Sequence, residues 1–245
     1  MAYWVLRVLL TPLLRFFYRV RVEGLEEVPR DGPAILASNH LSFCDSIFLP
    51  LVLRRRVTFV AKAEYFEDPK TAWFFRAVGQ IPIKREGGSA SERALASARE
   101  VLARGGLFGI YPEGTRSPDG RLHKGHTGVA RLALQTGAPV LAVAMVGTRE
   151  VQPIGRALPR PFMPVRVRFS RPMRFDHYGG RADDPLVLRQ ITDEIMFELR
   201  ELSGQEYVNS YAVRKGAVGA SERMKIATLP QDEATPAGSL AVATA

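Results

Sequence analysis

Cysteine is almost absent from this 245-residue chain. A lone Cys44 excludes any intrachain disulfide and any zinc site built on several thiolates. Uninterrupted apolar runs are missing too. A spanning helix needs about 20 mostly apolar residues, and the best stretch, 1–20, is broken by Arg7, Arg15 and Arg19. That stretch has no basic segment ahead of an apolar run and no small-residue cleavage site, so it does not read as a secretory signal. There is no G-x-x-x-x-G-K-[ST] and no G-x-G-x-x-G after a strand, which argues against nucleoside-triphosphate and dinucleotide chemistry. Acidic residues are in deficit: Asp+Glu 25 against Lys+Arg 34 leaves a net charge of +9. Such a surplus suits anionic partners, whether nucleic acid, phosphorylated metabolites or acidic lipid. Scattered arginines without a recognisable motif argue against nucleic acid. Histidine is scarce as well. His123 and His126 bracket Lys124-Gly125 without a nearby carboxylate cluster, so no metal site is expected.

What is present is an ordinary globular balance, 46% hydrophobic and 24% charged. The length suits one α/β domain of about 200 residues with end segments. In segment 1–21, Arg7, Thr11, Arg15 and Arg19 recur every fourth residue. On a helix they form one narrow stripe opposite a wide face of Trp4, Val5, Leu6, Leu9, Leu10, Leu13, Phe16 and Phe17. This predicts an amphipathic helix lying in a membrane interface, arginines toward headgroups, kinked or split at Pro12. A helix packed on the protein's own core is the alternative reading of the same pattern.

From Val20 the chain alternates apolar runs with helical periodicity. Strands are expected at 20–22, 33–38, 57–61, 81–83, 107–111, 140–146 and 165–169, and helices at 46–53, 71–78, 91–104, 128–136 and 185–202. That alternation predicts a mostly parallel, helix-covered central sheet in an α/β domain over 22–204. Alternating valine and arginine in 165–169 reads as an edge or half-exposed strand. Residues 205–245 read as an extension ending in a small, polar, disordered tail.

In parallel sheets, ligands gather beyond the carboxyl ends of the strands. Three such ends carry chemistry: Asn39 to Asp45, Lys84-Arg85, and Pro112 to Ser117. His40 and Asp45 suit a general base and the carboxylate that orients it. A five-residue offset turns about 140° on a helix, so contact requires a strand-to-helix turn with Asp45 near the helix start. The spacing equally fits a capping aspartate beside a loop histidine. Gly114 permits close backbone approach, and Thr115 and Arg116 can donate to phosphate oxygens, Arg116 bidentately. Cys44 reads as a small apolar filler.

Taken together, Asn39-His40-x4-Asp45, Gly79-x-Ile81-Pro82-Ile83-x-Arg85, Phe108-x-x-Tyr111-Pro112-Glu113-Gly114-Thr115-Arg116-Ser117 and Ala138-Pro139-Val140-x-x-Val143 resemble, in order, the four blocks of the 1-acylglycerol-3-phosphate acyltransferase family. The similarity covers roughly residues 22–169, and Pro82 stands where an aromatic residue is common in the family. The resemblance implies acyl transfer from an acyl thioester, acyl-CoA or acyl carrier protein, to the free hydroxyl of lysophosphatidic acid, giving phosphatidic acid. Glycerol 3-phosphate or another lysophospholipid is the alternative acceptor within that chemistry. By position, His40 would be the base and Asp45 its partner. Lys84, Arg85, Glu113, Gly114, Thr115 and Arg116 would shape the acceptor phosphate site, and Pro139 and Val140 would help to bind the acyl donor. No cofactor is implied beyond the thioester co-substrate. The expected place is the cytoplasmic face of a membrane, as a peripheral or monotopic protein on acidic lipid. A developing oxyanion would need donors, for which backbone N–H groups near His40 are candidates. A peripheral lipid-binding protein without catalysis is the reading from a different class, and such a module has no use for the His40/Asp45 pair.

Overall fold

The computed structural model describes residues 2–83 and 90–213. In chain order the elements are α1 (Ala2–Phe17), β1 (Val20–Glu23), β2 (Ala34–Ser38), α2 (Asp45–Val52), β3 (Val57–Lys62), α3 (Glu64–Glu67), α4 (Pro69–Ala77), β4 (Ile81–Ile83), α5 (Ala90–Ala103), β5 (Leu107–Ile110), β6 (Leu122–His123), α6 (Gly128–Thr136), β7 (Val140–Val146), α7 (Thr148–Val151), β8 (Val165–Phe169), α8 (Pro185–Ser203) and β9 (Tyr207–Val208). Seven strands form one sheet in the order β1-β8-β7-β2-β5-β3-β4. Every neighbouring pair in it is parallel except β7 and β8. This is the mostly parallel, helix-covered α/β sheet that the alternation of elements predicts.

Period-two alternation divides the core between the two faces. Ile35 and Ala37 of β2 join Phe108, Val140 and Ala142 beneath Leu95, Leu132, Ile191 and Ile195 from α5, α6 and α8. Ala34 and Leu36 face the other way, onto Phe48 and Leu49 of α2 and Tyr18 after α1. Helix ends follow local chemistry. Asp184 caps α8 by accepting from the N–H groups of Leu186 and Val187, with Pro185 at the first helical position. Gly137 ends α6 in the left-handed region at φ 65°.

Three expectations bear comparison with the structure. Of the two readings of 165–169, the half-exposed strand holds and the edge strand does not. β8 lies between β1 and β7, and its arginines are left on the open side because only one face is covered. Residues 205–211 belong to the same compact unit as the domain, pairing through β9 with β6, whereas 214–245, including the expected disordered tail, lie outside the described residues. The correction concerns α1. It runs through Pro12 unbroken, and its arginine stripe does not face outward as a set. Tyr3 is buried and donates to the carbonyl of Pro50 at 3.2 Å, and Arg7 reaches the carbonyl of Arg54 at 3.4 Å. Carbonyls at the end of α2 lack partners within their own helix, so they draw in the polar side of α1. Trp4, Val5, Val8, Leu9, Leu13 and Phe16 are left exposed. No helix among the described residues is long and apolar enough to cross a membrane.

Candidate active site

The carboxyl end of β2, near the middle of the sheet, leads into the turn that carries His40. Asn39 is fully buried and locks this end to β7: its Oδ1 accepts from Met145 N–H at 2.7 Å, and its Nδ2 donates to Met145 O at 3.0 Å. A second Nδ2 bond reaches Gln205 Oε1 at 2.6 Å. Beyond Asn39 the chain turns sharply into α2, whose first residue is Asp45. One Asp45 oxygen, Oδ2, accepts three hydrogen bonds, from Leu41 N–H at 2.7 Å, Ser42 N–H at 2.8 Å and His40 Nδ1 at 2.9 Å. The carboxylate therefore shapes the turn and orients the ring together. Asp45 is wholly buried, and its Oδ1 has no partner. The His40 ring, 16% exposed, stacks on Tyr111 with centroids 3.9 Å apart. With Nδ1 given to the carboxylate, Nε2 is the nitrogen left to meet a substrate.

β5 lies beside β2 in parallel register, so the turn after it, 111–117, sits against the His40 turn. The two are clasped at the backbone of His40 itself. Its N–H donates to Glu113 Oε1 at 3.3 Å, and its carbonyl accepts from Ser117 N–H at 2.7 Å. The other oxygen of Glu113 accepts from His123 N–H at 3.0 Å. Burial pushes the Glu113 carboxyl up to about 7, against the pull of these two N–H groups. Glu113 thus faces inward, because both its oxygens satisfy backbone donors. Gly114, at φ 70°, lets the turn pass His126: a Cβ there would stand 3.2 Å from the His126 ring. Gly114 is exposed and Thr115 and Arg116 are half-buried, and among the described residues the Arg116 guanidinium has no carboxylate partner. Ser46 and Tyr111 share a hydroxyl–hydroxyl bond at 3.0 Å, tying α2 to this second turn.

The structure therefore brings together His40, Asp45 and the 113–116 turn. Lys84 and Arg85 lie outside the described residues. Pro139 and Val140 do not join the group. Val140 is buried and pairs with Ile35 at the start of β2, at the opposite end of the strand from His40. The N–H groups of His40, Leu41, Ser42 and Cys44 are all engaged within the protein, so these four are not free to hold an oxyanion. Burial raises the Cys44 thiol to about 11, which keeps it protonated and unsuited to nucleophilic work. No group of three or more His, Cys, Asp or Glu residues suited to a metal occurs among the described residues. Sequence reasoning missed the service of Tyr111 beneath the ring and of Gln152 behind the turn, where it accepts from Ser42 Oγ and Cys44 Sγ. Tyr111 was findable, since it stands at the end of a strand beside Pro112. Gln152 carried no signal.

The fold and site define an α/β protein with a histidine–carboxylate pair at the carboxyl edge of a parallel sheet, facing a turn whose arginine has no carboxylate partner among the described residues. Residues 19–146, about half of the chain, match the family described as Acyltransferase, and the chain belongs to that family. It is 34% identical over 168 residues to the chloroplastic 1-acyl-sn-glycerol-3-phosphate acyltransferase of Arabidopsis thaliana, covering 68% of this chain and 46% of the relative. The corresponding Brassica napus protein is also 34% identical, over 68% of this chain and 47% of its own length. The chain thus spans about half the length of these curated relatives. Among solved structures, the 1-acyl-sn-glycerophosphate acyltransferase PlsC of Thermotoga maritima is similar at 29% identity and a TM-score of 0.58, over 78% of this chain and 74% of that one.

Proposed function

We propose that the protein transfers a fatty acyl group from an acyl thioester, on CoA or an acyl carrier protein, to the free hydroxyl of lysophosphatidic acid, forming phosphatidic acid for phospholipid synthesis. The observation that carries this reading is the His40–Asp45 pair clasped to the 113–117 turn through both backbone groups of His40. Asp45 accepts from Nδ1 and holds the ring in the tautomer whose Nε2 can take a proton. The acceptor hydroxyl gives its proton to Nε2 as its oxygen bonds to the thioester carbon. The carbonyl π electrons move to oxygen, then return to expel the thiolate, which takes the proton from the ring. No covalent acyl-protein intermediate is needed, since a thiolate leaves readily.

Arg116 and Thr115 grip the acceptor phosphate, with Lys84 and Arg85 as further cations, and this fixes the hydroxyl relative to the base. Glu113 acts behind this surface, as the residue that holds the two turns in register. A small cleft between α1, α2 and α4, lined by Leu10, Ile47, Pro50, Leu51, Phe74 and Val78 with Tyr3 and Arg7 at its side, opens beside Ser46, the neighbour of Asp45, and marks the side from which the acyl chain approaches. The exposed apolar side of α1 seats the protein peripherally on a membrane, where the lysophosphatidic acid acceptor resides. Thiol release from acyl-CoA in the presence of lysophosphatidic acid tests the reading. His40→Ala should lower turnover about 10²- to 10⁴-fold, the ordinary worth of a general base. Full turnover by that variant would reject the assignment, and product analysis against glycerol 3-phosphate and other lysophospholipids would fix the acceptor.

A further inference from the structure

Between Glu150 and Asp176 the chain holds no acidic residue and six arginines. Within this stretch, residues 153–163 form a loop that turns three large apolar side chains outward: Ile154, Leu158 and Phe162, at 41%, 75% and 63% exposure. Arg156 and Arg160 are exposed among them. Phe162 has φ 63°, the one non-glycine residue among those described that enters the left-handed region. A bulky side chain is costly there, and the conformation persists only where its surroundings hold it. Here they do. The Phe162 N–H donates to the carbonyl of Phe17 at 2.6 Å, and the two rings lie 5.6 Å apart, so the loop is joined to the end of α1.

The other end of the loop is joined to the catalytic turn. Gln152 donates through Nε2 to the carbonyls of Arg156 and Ala157 at 3.1 and 3.0 Å. Its own carbonyl accepts from Ser42 Oγ at 2.9 Å, and its Oε1 from Cys44 Sγ at 3.1 Å. Arg160 N–H closes the loop onto Val151 O at 2.7 Å.

We propose that residues 153–163 are a second membrane-contacting element, in which Leu158 and Phe162 enter the interface of an anionic bilayer while Arg156 and Arg160 meet lipid phosphates. Two observations favour a bilayer over another protein chain as the occupant. The loop continues from the outward apolar side of α1, and although Arg168 and Arg174 farther along pair with Glu23 and Asp176, the loop's own Arg156 and Arg160 have no carboxylate partner among the described residues. Apolar and aromatic tips between arginines suit the headgroup boundary. This inference rests on the reading of the protein as one that works at a membrane surface, and adds a contact element that Gln152 ties to the turn that carries His40.

The test is sedimentation of the full chain with phosphatidylcholine vesicles, with and without phosphatidylglycerol. Phe162→Gly suits the left-handed backbone while removing the ring, so it keeps the loop and should weaken binding about tenfold on anionic vesicles. Leu158→Asp should weaken it at least as much. Arg156→Gln and Arg160→Gln should each lower affinity about fivefold on anionic vesicles and little on neutral ones. Unchanged thermal unfolding shows that the variants are folded. Sedimentation of Phe162→Gly and Leu158→Asp like the parent overturns the proposal, and so does a loss of self-association in place of vesicle binding. Thiol release by the parent is measured separately. Weakened sedimentation of the variants supports the loop whether or not that activity appears, and a parent that never binds anionic vesicles overturns the loop without touching acyl transfer.

Discussion

Glu113 offers a prediction whose sign and size both come from the structure. The carboxyl is buried and lifted from an ordinary 4.5 to about 7, chiefly by loss of water. The folded protein therefore binds a proton between those values that the unfolded chain has released. Stability contributed by this group is present below pH 4.5, falls as pH rises toward 7, and is gone above it. At about 1.4 kcal/mol for each pH unit, the loss amounts to about 3 kcal/mol. Other groups titrate in the same range: burial lowers His126, and a lowered histidine adds stability as pH rises. The informative quantity is thus the difference between the parent and a variant that cannot ionise.

Glu113→Gln supplies that difference. Its amide oxygen can replace one carboxylate oxygen, but its NH₂ must then face the N–H of His40 or His123, at a cost of about 1–3 kcal/mol. Urea unfolding at pH 5, 6, 7 and 8 should show the parent ahead of the variant at low pH by more than at high pH. The gap should narrow by about 3 kcal/mol across the range. Parallel stability curves would refute the claim that Glu113 is ionised at a cost in the folded state. A narrowing gap with unchanged kcat at pH 8 would instead refute the claim that Glu113 positions His40.

Asp45→Asn keeps an oxygen for the three donors but loses the charge that steadies a protonated ring. We expect kcat to fall about 10²-fold with little change in KM, and a stability cost of about 1–3 kcal/mol from an amide placed where Oδ1 has no partner. Turnover within a factor of about two of the parent would refute the role. Arg116→Ala should raise the KM for the phosphorylated acceptor about 10- to 100-fold and leave that of the thioester near its parent value, as read from initial rates with each substrate varied. Tyr111→Leu removes the ring stacked beneath His40 and should lower kcat about tenfold, whereas Tyr111→Phe keeps the stack, loses the Ser46 bond at about 1 kcal/mol, and should stay near parent activity.

The elements most legible in the sequence were those whose neighbours repeat one pattern. The unbroken apolar run 140–146 and the valine–arginine alternation of 165–169 give strands with those same bounds, and 128–136 gives α6 to the residue. Placement relative to other elements was less legible. Periodicity shows that α1 has two sides, but the inward side was decided by free carbonyls at the end of α2, which lie 47 residues away in the chain. The block around Pro139 and Val140 gives no sign of strand direction, and β7 starts at the end of the sheet remote from His40. For Glu113, a carboxylate beside Thr115 and Arg116 reads as part of a polar surface. Only the register of β2 against β5 shows that both its oxygens turn inward to backbone.

Two buried carboxylates within reach of one histidine raise the question of which could serve as the base. Asp45 cannot, because its Oδ2 is saturated by three donors and its Oδ1 is sealed from solvent. Glu113 cannot, because each of its oxygens is spent on a backbone N–H. That leaves His40, the one titratable group of the three with an open atom. The division also gives each acid a separate role beside it. When Nε2 gains the substrate proton, the ring becomes a cation in a poorly hydrated site, where an uncompensated charge is costly. Asp45 compensates directly at 2.9 Å. Glu113 acts instead on the backbone of His40, from whose N–H it accepts at 3.3 Å. A Glu113→Gln variant gives up one of its two backbone acceptors, so the turn that aims Nε2 is held less firmly and the variant should lose more in kcat than in substrate KM.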